Sequence, residues 1–306
     1  MSVEVKRSDF LSATAPRWCP GCGCYGVLKG LTQTFADCGI PREKQVVISG
    51  IGCSARLPYY LDTYAMHTLH GRAPAVATGV KLTRPDLSVW IITGDGDALA
   101  IGGNHTLHFM RRNMDLKMLL LNNQIYGLTK GQLSPTSPTG MKTKTSPYGS
   151  ADNPVHPIRL ALSMGASFVA RVGDKDPAML DAVLGAAQAH RGAAFVEVLM
   201  NCITFHDGAF EAVRDKTSRA EKSLELVHGQ PLCFGANGEF GLRERDGELQ
   251  RVRIAESGRD RNDLLIHDAH AQDPAMALRI SQLGFPDGPL ALGVFRQIEA
   301  PVYGAA

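Results

Sequence analysis

Two short apolar runs each end in residues able to hold a metal ion and the phosphates it would bridge. The first, Leu87-Ser88-Val89-Trp90-Ile91-Ile92-Thr93, is followed by Gly94-Asp95-Gly96-Asp97. The second, Leu116-Lys117-Met118-Leu119-Leu120-Leu121, leads into Asn122-Asn123-Gln124-Ile125-Tyr126-Gly127. Both have the length and composition of buried strands. Residues 98–113 between them are long enough for a crossover helix, with Leu99, Ile101, Leu107, Phe109 and Met110 available to face a sheet. A strand-helix-strand unit makes the two strands parallel, so Asp95 and Asn123 should emerge at one carboxyl edge, where open α/β sheets bind ligands. A carboxylate, an amide oxygen and a nearby backbone carbonyl are the hard oxygen donors that suit Mg²⁺. Gly94 and Gly96 let a diphosphate approach the backbone closely. Each half alone is a common turn or cap; the pairing of both at strand ends favours the chemical reading.

Sulfur supplies a second constellation. Of seven cysteines, three lie in Trp18-Cys19-Pro20-Gly21-Cys22-Gly23-Cys24-Tyr25-Gly26. The N-terminal Met1-Ser2-Val3-Glu4-Val5-Lys6-Arg7 has no apolar stretch of the secretory type, and no run reaches transmembrane length, so a cytoplasmic chain off the membrane is expected. In that setting a Cys-x-x-Cys reads as metal-binding or redox-active rather than as a staple. Cys53 follows the strand-like Gln45-Val46-Val47-Ile48-Ser49, and Cys202 follows Ala194-Phe195-Val196-Glu197-Val198-Leu199-Met200. Parallel strands would bring both thiols to the edge that carries Asp95. Cys38 ends a helix over 26–36 and should lie at the opposite edge, and Cys233 falls in a less regular tail. The expected set is therefore Cys19, Cys22, Cys53 and Cys202. Cys24 is an alternative to Cys22 or else a packed thiol. Four thiolates suit Zn²⁺ or a [4Fe-4S] cluster, and their spacing does not decide between the two.

The spacing of Gly94-Asp95-Gly96 from Asn122-Asn123 resembles the thiamine diphosphate signature. That resemblance implies that Asp95, the Asn123 side chain and the Ile125 carbonyl hold the Mg²⁺ that clamps the cofactor's diphosphate. A carbanion-generating cofactor beside four thiols favours a redox cluster over structural zinc. More widely, the chain resembles the β subunits of 2-oxoacid:ferredoxin oxidoreductases. The resemblance runs through Trp18-Cys19-Pro20-Gly21-Cys22-Gly23, Gly50-Ile51-Gly52-Cys53-Ser54, His67-Thr68-Leu69-His70-Gly71-Arg72, Gly94-Asp95-Gly96-Asp97 and Tyr126-Gly127-Leu128-Thr129-Lys130-Gly131-Gln132. It resumes at Cys202 and ends with Gly293-Val294-Phe295-Arg296.

What this resemblance implies is an enzyme using thiamine diphosphate, Mg²⁺ and a [4Fe-4S] cluster. It would convert a 2-oxoacid and coenzyme A to acyl-CoA and CO₂, with electrons passing to ferredoxin. Gly52, Ser54, Gly94, Asp95, Gly96 and Asp97 would contact the cofactor from the strand ends, and Asn123, Ile125, Tyr126, Gly127 and Leu128 from the following loop. Thiamine enzymes also need a glutamate from a second α/β domain, for which this chain has no room. An α subunit is therefore expected, in an (αβ)₂ assembly. Arg56, His70 and Arg72, with Leu128 opposite, collect positive charge that suits a dicarboxylate, so 2-oxoglutarate is expected over pyruvate. The rival readings are a pyruvate or broad-range enzyme, a non-redox thiamine enzyme subunit with structural zinc, and an electron-transfer scaffold.

The formal charge of +2 and the absence of basic runs argue against nucleic-acid binding, and 44% apolar content supports a substantial core. Residues 1–208 read as one α/β unit, a mostly parallel sheet with helices on both faces, of the thiamine diphosphate-binding type. Residues 209–306 read as a C-terminal extension, charged and helical over 211–225, with a hairpin around Asp246-Gly247. The Ser-, Thr-, Pro- and Gly-rich stretch 124–150 reads as a loop covering the cofactor, its middle, 135–144, as a surface segment.

Overall fold

A computed structural model describes residues 5–254, 263–285 and 288–304. Residues 1–4 of the N-terminal stretch, and 255–262, 286–287 and 305–306 of the extension, lie outside the described residues. In chain order the first half runs α1 (Cys24–Asp37), β1 (Gln45–Ser49), β2 (Tyr64–His67), α2 (Ala73–Thr83), β3 (Ser88–Gly94), α3 (Gly103–Arg111), β4 (Lys117–Asn122), β5 (Ile125–Tyr126) and β6 (Gln132–Leu133). There follow α4 (Pro157–Ser163), β7 (Phe168–Gly173), α5 (Pro177–Ala189) and β8 (Ala194–Leu199). The last part holds α6 (Glu211–Arg214), α7 (Lys216–Lys222), β9 (Ser223–Leu226), β10 (Cys233–Phe234), β11 (Phe240–Arg245), β12 (Glu248–Arg253), α8 (Ala275–Ser281) and β13 (Leu290–Gln297).

Eight strands form one sheet in the order β2-β1-β3-β4-β8-β7-β13-β9. The first six are mutually parallel; the edge strand β2, exposed along its length, lacks the apolar run by which the sequence marks the other five. Successive strand residues point to opposite faces, and here both faces are covered. Val46, Ile48, Val89, Ile91, Met118 and Leu120 pack with α2, α3, α4 and α8. Val47, Trp90, Ile92, Leu119 and Leu121 pack with Leu28, Leu31 and Phe35 of α1 and Leu180, Val183 and Leu184 of α5. Each such fully buried side chain contributes about 2 kcal/mol. Burial on both faces is why these strands read as unbroken apolar runs rather than as alternating ones.

The crossover after β3 differs from expectation in its first turn. Residues Asp97–Ile101 form a π-helical turn, in which the Gly102 N–H donates to the Asp97 carbonyl at 3.2 Å. The wider turn shifts the helical register, so Phe109 and Met110 reach the core while Ile101 is 54% exposed. The extension is helical over α6 and α7 and becomes extended from Ser223. Asp246 and Gly247, both at positive φ, form the tight turn between β11 and β12. Beyond residue 208 the composition changes but the sheet continues. β13 pairs antiparallel with β7, and β9 pairs parallel with β13. Among the described residues no helix is long and apolar enough to cross a membrane.

Candidate active site

The carboxyl ends of β1, β3, β4 and β8 open onto a cavity of about 450 Å³. Its wall carries Cys19, Cys22, Cys53 and Cys202, with Cys24 beside them, together with Asp95, Asn123 and Ile125, so the two constellations form one site. Cys38 is the C-cap of α1, where Gln45 Nε2 donates to its sulfur, and Cys233 lies in β10; neither lines the cavity.

Asp95 is 3% exposed. Its Oδ2 accepts from Ser134 Oγ at 2.5 Å and from Thr136 Oγ1 at 2.7 Å. Burial pushes its carboxyl group up, opposed by these hydroxyls and by backbone amides of Asp95 and Gly96. A carboxylate enclosed by neutral donors has the chemistry of a divalent-cation ligand awaiting its counter-charge. Ser134, Thr136 and Ser137 are buried, so the reading of 135–144 as surface fails over its first residues. Ser137 Oγ donates to the Gln124 carbonyl at 2.6 Å and receives the Ser134 N–H at 2.8 Å, folding the loop back onto the strand ends. Thr136 Oγ1 also lies 3.0 Å from Asn122 Oδ1, and Asn122 Nδ2 donates to Glu197, which pairs with Arg171 within the sheet.

Asn123 makes a local turn in which its Oδ1 accepts the Ile125 N–H at 3.1 Å. Its carbonyl lies 3.0 Å from His206 Nδ1. Gly96 is required where it stands, because a β-carbon there would meet the Tyr126 ring at 2.3 Å. Tyr126 locks that contact by donating its hydroxyl proton to the Gly96 carbonyl at 2.9 Å. Gly52 and Ser54 line the same wall, as do Gly94, Gly127 and Leu128. Asp97 lines the cavity too, but its oxygens are taken up inside the protein. Oδ1 accepts from the Ile51 and Gly71 amides and faces His70 Nδ1 at 2.6 Å, while Oδ2 accepts from Thr93. Through these bonds Asp97, while part of the cavity wall, fastens the loops after β1 and β2 to the end of β3.

Two of the thiols flank the turn at Gly127. A β-carbon at that glycine would stand 3.4 Å from Cys202 Sγ, 3.6 Å from Cys53 Sγ and 3.9 Å from Asn123 Nδ2. Trp18 Nε1 donates to the Cys53 carbonyl at 2.7 Å, tying the Cys-x-x-Cys loop to the second cysteine loop. Thr204 Oγ1 lies 3.4 Å from Cys19 Sγ. Cys24 lies in the first turn of α1, fully buried, behind Cys22. Its hydrogen bond holds the Cys22 thiol down to about 7, and Cys24 itself is pushed up. Burial first, then the neighbouring Cys22, Cys202 and Cys19, raises Cys53 to about 11. Like groups crowded into one wall resist ionisation, the electrostatic condition a cationic metal centre relieves. Among the described residues no group of three or more His, Cys, Asp or Glu stands close enough to one point to hold a single ion. What fits a thiolate-bound centre is the donor set, the thiols of Cys19, Cys22, Cys53 and Cys202 on one wall with Cys24 beside them.

Of the expected substrate contacts, Arg56, His70 and Leu128 line the cavity. Arg72 does not. Gly71 adopts φ +72° and turns the chain, so Arg72 leaves the site and meets His105 of α3. Sequence reasoning missed Arg17 and Lys130 on the cavity wall, the Ser134 and Thr136 hydroxyls, and His206. The run Ser134-Pro135-Thr136-Ser137-Pro138 was the available signal, and its composition points to a surface loop.

A parallel sheet presenting the buried Asp95 and the half-buried Asn123 at its carboxyl edge defines a thiamine diphosphate-binding domain. The family model described as thiamine pyrophosphate enzyme, C-terminal TPP binding domain, matches residues 50–198. The chain is 50% identical to the 2-oxoglutarate oxidoreductase subunit KorB of Mycobacterium tuberculosis, over 97% of this chain and 79% of that protein. It is 49% identical to the 2-oxoglutarate synthase subunit KorB of Archaeoglobus fulgidus, over 78% of this chain and 90% of the relative. Among solved structures, a 2-oxoglutarate:ferredoxin oxidoreductase from Magnetococcus marinus with 2-oxoglutarate, coenzyme A and succinyl-CoA bound superposes with a TM-score of 0.78. The sequence identity is 34%, and the match covers 98% of this chain and 87% of that one. The chain belongs to the KorB family, the β subunits of 2-oxoglutarate:ferredoxin oxidoreductases.

Proposed function

We propose that this chain is the thiamine-binding, cluster-bearing β subunit of an enzyme that oxidatively decarboxylates 2-oxoglutarate with coenzyme A and delivers electrons to ferredoxin. The observation that carries the reading is the single cavity that Asp95 and Asn123 share with the thiols of Cys19, Cys22, Cys53 and Cys202. Asp95, the Asn123 side chain and the Ile125 carbonyl would hold Mg²⁺, with Gly52, Ser54, Gly94 and Gly96 lining the diphosphate cradle. Cys19, Cys22, Cys53 and Cys202 would hold a [4Fe-4S] cluster. When bound, thiamine diphosphate supplies an electron sink for decarboxylation and the cluster a one-electron outlet.

The chain's own residues position and protect this chemistry. Tyr126 and Asp97 fix the loops that form the cradle, and the Ser134–Ser137 turn encloses Asp95. Ile51, Leu128, Ile203 and Phe205 line the cavity and remain 37–47% exposed. In an (αβ)₂ assembly an α subunit would cover this apolar rim, exclude water and bring the missing glutamate. The isolated chain should then show no 2-oxoacid oxidation.

Arg56 and Arg17 line the cavity without a competing ion pair among the described residues, and a guanidinium binds a carboxylate through two parallel hydrogen bonds. Arg56, on the turn after Cys53, is assigned the distal carboxylate of 2-oxoglutarate, with His70 beside it. In the complex with its α subunit, kcat/KM should be higher for 2-oxoglutarate than for pyruvate or 2-oxobutyrate. Arg56→Ala should lower the 2-oxoglutarate value more than about tenfold, the loss of one charge-assisted contact of about 2 kcal/mol, and leave pyruvate nearly unchanged. A wild-type preference for pyruvate, or a 2-oxoglutarate value unmoved in the variant, contradicts the assignment.

A further inference from the structure

Beneath the Cys-x-x-Cys loop lies a buried ion pair. Arg214 donates from Nε to Asp174 Oδ1 at 2.6 Å and from Nη2 to Oδ2 at 3.0 Å, and the two side chains are 5% and 0% exposed. Asp174 follows β7 at the ligand-binding edge, where its N–H donates to the Leu199 carbonyl at 3.0 Å. Its carboxylate presses directly on the cysteine loop. A β-carbon at Gly23 would stand 2.3 Å from Asp174 Oδ2 and 2.9 Å from Met200 Cβ, so only glycine admits this contact. One at Gly26 would meet the Asp174 carbonyl at 3.0 Å. Gly23 is also the N-cap of the 14-residue α1 and offers no side chain to its first amides, so the carboxylate sits where the helix dipole favours negative charge. Arg214 comes from α6, beyond the Cys202 loop, reached through Phe210 in the left-handed conformation.

We propose that the Asp174–Arg214 pair is a charge-balanced platform that positions Cys22 and sets the reduction potential of the cluster its loop holds. The inference rests on the reading of the four thiols as [4Fe-4S] ligands. One-electron reduction adds a negative charge to the cluster and neither forms nor breaks a covalent bond; the electron comes from oxidation of the 2-oxoacid. Charges this deeply buried are weakly screened by salt. An unbalanced carboxylate would oppose the added electron and an unbalanced guanidinium would favour it, since net charge and burial tune cluster potentials. Asp174 Oδ2 stands against Gly23, the residue next to Cys22 in the ligand loop, so the pair lies directly behind a cluster-bearing thiol. Asp174 and Arg214 are therefore positioning residues: they act through Cys22 and touch no substrate.

The test is a redox titration of the anaerobically purified αβ complex, followed by visible absorbance and electron paramagnetic resonance, with iron content and Tm measured in parallel. Arg214→Met should lower the midpoint potential and Asp174→Asn should raise it. Each should move the oxidised-to-reduced ratio at fixed potential about tenfold, about 59 mV for a one-electron couple. Arg214→Lys, which keeps the charge and loses the two-pronged geometry, should hold the wild-type potential even where Tm falls. Should Arg214→Met fail to accumulate as folded complex, Asp174→Asn against Arg214→Lys decides by the same criterion. Shifts in one direction for both charge-removing variants, no shift, or a Lys variant displaced as far as the Met variant overturns the proposal. A wild-type complex without iron refutes the cluster reading instead, which separates the two failures.

Discussion

Replacing Asp95 by alanine should abolish Mg²⁺-dependent binding of thiamine diphosphate while leaving iron bound to the protein. Asp95 is the enclosed carboxylate at the carboxyl end of β3, and its partners are neutral hydroxyls and amides that carry no charge to replace it. Removing a group that merely orients a metal ligand typically costs 10- to 100-fold in metal affinity, so loss of the ligand itself should exceed about 100-fold. Asp95→Asn keeps the volume and hydrogen-bonding shape, which separates a packing defect from loss of the charge. Calorimetric titration with thiamine diphosphate, with and without Mg²⁺, reads the affinity, and iron analysis of the same sample reads the cluster. Normal cofactor occupancy in both variants would sink the assignment.

The second large effect concerns sulfur. Serine at Cys19, Cys22, Cys53 or Cys202 should strip iron from the protein and with it the reduction of ferredoxin. Serine at Cys38 or Cys233 should do neither. The distinction follows from topology: the first four line one cavity, whereas Cys38 ends α1 away from it and Cys233 belongs to the small sheet of β10, β11 and β12. Cys24→Ser is the informative intermediate. It should keep iron, because Cys24, although on the cavity wall, is fully buried in the first turn of α1 with its thiol engaged by Cys22, but the change removes the hydrogen bond that lowers the Cys22 thiol. Iron retained in Cys202→Ser and lost in Cys38→Ser would overturn the placement.

Much of the sheet is legible in the sequence because its inner strands are buried on both faces. Ser88–Gly94 and Lys117–Asn122 read as short apolar runs, and parallel pairing fixes which end carries the ligands. The same logic places Cys53 and Cys202. Single-residue backbone choices are not legible in that way. Gly71 at positive φ sends Arg72 to His105, and the π turn over Asp97–Ile101 turns Ile101 outward; neither alters the apolar pattern. Ser134 and Thr136 are hidden for another reason. Polar residues between prolines usually meet water, and here the buried carboxylate of Asp95, with Asn122, gives them partners inside. The buried pairs Arg171–Glu197 and Asp174–Arg214 are long-range, and no local spacing announces them. β9 and β13 join the sheet by pairings with each other and with β7, a connection that composition reads only as an extension.

The central claim, that one cavity of this chain couples thiamine chemistry to an iron-sulfur cluster, is tested most directly by colour. The αβ complex, purified anaerobically and loaded with Mg²⁺ and thiamine diphosphate, should be brown and should bleach when 2-oxoglutarate and coenzyme A are added. Asp95→Ala, equally brown, should bleach with dithionite but not with substrate. A colourless wild-type complex containing zinc, or a brown one whose absorbance 2-oxoglutarate and coenzyme A leave unchanged, would contradict the account.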